Sequence, residues 1–134
     1  MSKLHKRIRR EEGFTLIELL IVLVILGILL AIAVPAYLGF KDRANNRAAE
    51  SDLRAAIPSA EAFYESMNTY SGMNAAALKS IDAGLSSAVS VAGTPTSTSY
   101  CLTATVGNKT WSVAGPGATG WYQSADCTGT AVSP

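Results

Sequence analysis

A chain of 134 residues, 49% hydrophobic and with a formal net charge of +1, has room for one small domain beside a long helix. Its single histidine, His5, and its two cysteines, Cys101 and Cys127, which form no CxxC pair, leave no set for zinc, haem or triad chemistry. No metal, no cofactor and no enzymatic activity are expected.

The charge is unevenly placed. Residues 1–13 hold Lys3, Lys6, Arg7, Arg9 and Arg10 against Glu11 and Glu12, and the rest of the chain is slightly acidic. With no basic patch further on, this is a weak footprint for nucleic acid, and none is expected to bind. Residues 1–13 are too polar to fold and short enough to be a removable leader.

The run 19–40 contains no charged residue over 22 positions. As a helix it extends roughly 33 Å, enough to cross a bilayer core. A basic head before such a run predicts a cytoplasmic N-terminus and an exported remainder. Glu18 stands at the entrance of the run, where an ionised side chain is costly and marks a functional position. Ala31-Ile32-Ala33 offers a rival, ordinary secretory cleavage site. The apolar run before it is too long for that reading, contains Glu18, and continues through Val34 to Phe40.

Beyond Phe40 charged residues return. Ala49, Leu53, Ala56 or Ile57, Ala60, Phe63 and Met67 recur at three- and four-residue intervals, the stripe of an amphipathic helix. The simplest organisation is one helix of roughly 50 residues, 14–40 in the membrane and 41–67 packed against a domain. Pro35 and Pro58 are expected to bend it, with Gly27 a further weak point. Glu61 and Glu65 share a helix face and read as an ordinary solvated pair.

Residues 68–134 lose helical periodicity. A short helix is expected over 74–81, and Gly84, Gly93-Thr94-Pro95 and Gly115-Pro116-Gly117 punctuate loops. Residues 100–106 and 110–114 flank Gly107-Asn108-Lys109 as a β-hairpin, with Trp121-Tyr122-Gln123 as a third strand. So small a sheet needs cover, so one face is expected on the amphipathic half of the helix. The fold class is α+β, a long N-terminal helix packed on a small antiparallel sheet. An even cysteine count on the exported side favours a Cys101–Cys127 disulfide, with two free buried thiols as the alternative. Asn108-Lys109-Thr110 matches a glycosylation sequon, and 94–99 is rich in Ser and Thr; neither decides a modification.

The stretch from Lys6 to about Tyr37, which contains the segment GFTLIELLIVLVILGILLAIAVPAY (residues 13–37), resembles the N-terminus of type IV prepilins. It has glycine before the cut, phenylalanine after it, an acid fifth in the processed chain, and glycine and proline inside the helix. The resemblance implies cleavage between Gly13 and Phe14 and N-methylation of Phe14 by a prepilin peptidase. It implies a single-pass inner-membrane pool, with the C-terminal domain outside the cytoplasm, drawn by assembly machinery into a helical homopolymer on the cell surface. There Glu18 would meet the Phe14 amine of a neighbour, and the helix between Gly27 and Pro35 would loosen. The functions implied are adhesion, twitching motility or DNA uptake. A pseudopilin of type II secretion or competence has the same design. The paired cysteines lean towards a pilin, and Asp82 and Asp126 are too few for the calcium loop of major pseudopilins. A monomeric membrane-anchored binding domain is the alternative of another class.

Overall fold

The computed structural model describes residues 14–134, in which one long helix, one short helix and a four-stranded sheet follow in chain order. Residues 1–13, the expected leader with its Gly13, lie outside the described residues. Two compact units meet between Phe40 and Lys41.

Helix α1 (Leu16–Met67) runs for 52 residues without a break through Gly27, Pro35 and Pro58. Among its residues up to Phe40 the large apolar side chains are exposed, and this part is long and apolar enough to cross a membrane. The helix ends at Asn68, whose φ of 55° is the left-handed conformation that asparagine tolerates at a helix C-terminus. Its backbone N–H donates to the Tyr64 carbonyl at 2.6 Å.

From Lys41 onward the helix belongs to the second unit, and there it has a buried face of Ala49, Leu53, Ala56, Ala60 and Phe63. Met67, expected on that stripe, is exposed, since the helix stops before a further turn would be covered. Glu50 and Ser59 are buried beside the stripe instead. Glu50 is compensated by Arg47 at 3.0 Å. Three fully buried alanines keep this face thin, which suits close approach of a sheet carrying Leu102, Val113 and two tryptophans in the same core.

Helix α2 (Ala75–Ile81) is started by Asn74, whose side chain accepts from the Ala77 backbone N–H at 2.9 Å. The strands β1 (Val89–Val91), β2 (Tyr100–Val106), β3 (Lys109–Gly115) and β4 (Gly120–Tyr122) form an antiparallel meander in that order. The register pairs Leu102 with Val113 and Ala104 with Trp111, so alternate residues share one face and enter the core with the helix. The expected hairpin is present, and the strand at Trp121 begins one residue earlier than read. Strand β1 is additional: three residues between loop signals carry too little alternation to be noticed, and pairing with β2 makes it a strand.

The opposite face presents Cys101, Thr103, Ser112 and Ala114. Ser112 is fully buried, because the chain after β4 returns across it: the Cys127 backbone N–H donates to Ser112 Oγ at 3.0 Å. Cys101 and Cys127 are joined as a disulfide with Cα atoms 6.0 Å apart. Val132 N–H donates to the Trp121 carbonyl at 2.8 Å, pinning the same segment a second time.

Candidate functional site

Thr15 and Glu18 begin the helix as a reciprocal pair. The Thr15 hydroxyl accepts from the Glu18 backbone N–H at 3.3 Å, and Glu18 Oε2 accepts from the Thr15 backbone N–H at 3.4 Å. This is the capping box of a Thr-x-x-Glu sequence, satisfying two backbone donors that the first turn leaves without intrahelical partners. The carboxylate also lies in the first turn, where the helix dipole favours negative charge. Thr15 is an additional site residue, and Thr15-Leu16-Ile17-Glu18 before an apolar run is its local signal.

Phe14 is exposed just ahead of this turn. Gly27 and Pro35 lie apart on the helix, and a Cβ built at Gly27 meets nothing within 4 Å. Packing inside the subunit therefore does not require glycine there.

A second cluster ties the helix to the sheet. The Tyr70 hydroxyl donates to Glu61 Oε2 at 2.8 Å, and the Tyr100 hydroxyl donates to Glu61 Oε1 at 3.0 Å. The ring of Tyr70 lies 4.7 Å from that of Tyr64 and 4.7 Å from that of Tyr100, centroid to centroid. Desolvation first, and the bond to Glu61 second, push the Tyr70 phenol up to about 12; the same causes push Tyr100 up further. Glu61 is thus a half-buried acceptor of two phenols, not the solvated residue its spacing suggested. A side chain at Gly115 would run into the Tyr100 ring from the paired position on β3, so glycine there is what lets the ring lie across the strand.

Trp111 Nε1 donates to Asn46 Oδ1 at 3.0 Å, and the guanidinium of Arg54 lies 4.9 Å from the Trp121 ring centre. Among the described residues no group of three or more His, Cys, Asp or Glu is placed to hold a metal ion. What the chain offers is, in the first unit, a capped entrance to an apolar helix and, in the second, a small domain whose sheet is tied to residues 41–67 of the helix.

Comparison with known proteins agrees with that description. The prokaryotic N-terminal methylation motif matches residues 8–34. The chain is 36% identical over 115 residues to the type IV wide pilus major component PilA4 of Thermus thermophilus, covering 85% of this chain and 81% of that one. It is 42% identical over 62 residues to the type IV major pilin protein PilA of Myxococcus xanthus, of which the match spans only 28%. A third relative, the type II secretion system core protein G of Aeromonas hydrophila, is 49% identical over 45 residues, 34% of this chain and 32% of that one. The fold and the entrance to its helix are those of a filament subunit rather than an enzyme. The chain belongs to the type IV pilin family.

Proposed function

We propose that the chain is a structural subunit of a type IV pilus, cut between Gly13 and Phe14 by a prepilin peptidase, methylated on Phe14, and polymerised into a surface filament. The domains follow from this: 1–13 is the leader, 14–40 the membrane and filament-core helix, 41–67 the amphipathic half, and 68–134 the exported domain. The observation that carries the reading is the likeness to a pilus major component across most of both chains. Similarity to the secretion protein stops after 45 residues, which favours the pilus over the pseudopilus.

The capping geometry suits the task. Cleavage leaves the Phe14–Thr15 amide intact, so the bond from Thr15 N–H to Glu18 survives processing. One carboxylate has room for several donors. Glu18 therefore holds its own helix start and still accepts the methylated amine of a neighbour's Phe14. In the poorly hydrated core of a helical bundle each charge compensates the other, and removing one strands its partner at a cost of about 3–5 kcal/mol. The helix between Gly27 and Pro35 is where assembly loosens the backbone, since Pro35 has no N–H to contribute.

Glu18→Val tests the pairing. The variant is expected to insert and to be cleaved, because a more apolar helix enters lipid more readily. Expressed as the sole pilin, it is expected to give few or no fibres by electron microscopy. Wild-type fibre numbers on those cells would remove the role assigned to Glu18.

A further inference from the structure

Four cations gather in the second unit directly after the apolar run. Lys41 and Arg43 follow Phe40 in the chain, Arg47 lies one turn on, and Lys109 enters from the β2–β3 hairpin to pair with Asp42 at 3.5 Å. Asp42 is the second residue of the second unit, so this pair ties the Lys109 end of the hairpin to the first turn of that unit's helix. Asp42 pairs with Lys109, and Glu50 pairs with Arg47 at 3.0 Å.

Two adjoining polar clefts open beside three of them, Arg43, Arg47 and Lys109. One is lined by Arg43, Asn46, Arg47, Trp111, Gln123 and the carboxylate of Glu50, which pairs with Arg47, and the other by Asn46, Asn108, Lys109, Thr110 and Gln123. The Asn46 carbonyl oxygen is taken by the Trp111 indole, leaving its amide N–H groups as the free donors of that side chain. With Glu50 matched by Arg47, the lining still offers Arg43, Lys109 and several amide and hydroxyl donors, which is chemistry complementary to a phosphate.

We infer that this collar, Lys41, Arg43, Arg47 and Lys109 with the Asn46 amide, docks on the phosphates of anionic phospholipids at the exported face of the membrane before assembly. A helix inserted up to Phe40 brings the headgroup layer to Lys41 and, through the Asp42–Lys109 pair, to the hairpin turn. Docking orients the exported domain of each pool subunit and is surrendered on entry to the filament. The inference rests on the membrane-spanning reading of 19–40.

The full processed chain, with its disulfide closed, is reconstituted in vesicles of phosphatidylcholine alone or of phosphatidylglycerol with phosphatidylethanolamine. Asn108→Cys carries a fluorophore, and a headgroup-spin-labelled lipid is the quencher. Stronger quenching is expected in the anionic vesicles, falling toward the phosphatidylcholine value as salt is raised. Lys41→Gln is expected to lower the ratio of docked to undocked hairpin about fivefold, and Lys109→Gln to do the same. Lys41 makes no pair within the domain, so its variant separates headgroup binding from loss of the Asp42 contact. A chain retained in both vesicles after carbonate washing, but quenched equally in both and unaffected by Lys41→Gln, overturns the headgroup docking alone. A chain that carbonate strips from both vesicles overturns the membrane-spanning reading and this inference with it.

Discussion

Replacing Glu61 by alanine removes the acceptor that joins α1 to both the 68–74 loop and β2. Two phenol hydroxyls lose their partner at once, at bond lengths of 2.8 and 3.0 Å. Hydrogen bonds to a charged group contribute about 1.5–3 kcal/mol each. Water reaches a half-buried carboxylate, so the expected loss is smaller than their sum, about 2–4 kcal/mol for Glu61→Ala. Tyr70→Phe and Tyr100→Phe should each cost about 1–2 kcal/mol. Tyr100→Phe combined with Glu61→Ala should be less damaging than the two losses added, because they share one bond. The assay is denaturant unfolding of the processed chain in detergent, followed by near-ultraviolet circular dichroism. The same tyrosines set an alkaline limit. Folding raises the Tyr70 phenol from 10 to about 12, so the folded chain holds that proton more tightly than the unfolded one. The contribution is complete below about pH 10 and is lost as pH climbs from there through about 12. Wild-type stability should fall over that window, and Tyr70→Phe should flatten the fall. A Glu61→Ala variant within 0.5 kcal/mol of wild type (about the noise of a surface substitution), or an alkaline profile unchanged by Tyr70→Phe, would refute the reasoning.

Three further outcomes are expected. Cys101→Ser and Cys127→Ser should each lower subunit level and stability by roughly 3–4 kcal/mol, and the double variant should be no worse, because the same closed loop is opened in all three; alkylation with and without reductant, read by mass, reports the bond directly. Gly115→Val should destabilise the domain by driving a side chain into the Tyr100 ring, whereas Gly117→Val should act only through its positive φ of 74°, with no neighbour within 4 Å of a Cβ; paired melting curves distinguish a clash from backbone strain. Thr15→Val should weaken the helix start by about 1 kcal/mol and reduce fibre number while leaving the mature mass correct apart from the substitution; fibre counts beside intact mass check both halves.

Much of this architecture was legible before any coordinates. A charge-free run of 22 residues and a stripe at three- and four-residue intervals each dictate helix, and alternation around Gly107-Asn108 dictates a hairpin. Those signals are local, and local signals survive without knowledge of neighbours. What escaped depends on partners distant in the chain. Glu61 looks solvated on its own helix, and only β2, 39 residues on, supplies the Tyr100 hydroxyl. Ser112 reads as an outward strand residue and is buried because the segment after β4 returns over it. Val89–Val91 is too short to read as a strand by itself and is defined by its pairing with β2. At the helix entrance the opposite holds: Thr15 carries a local signal, and Glu18 serves as a cap as well as a charge at the start of the apolar run.

The central claim is tested most directly by the intact mass of the main protein in filaments sheared from cells expressing this chain as their only pilin. The account predicts a subunit beginning at Phe14, heavier by one methyl group, with Cys101 and Cys127 oxidised. A subunit beginning at Val34 or Pro35, or filaments that lack the chain altogether, would contradict it.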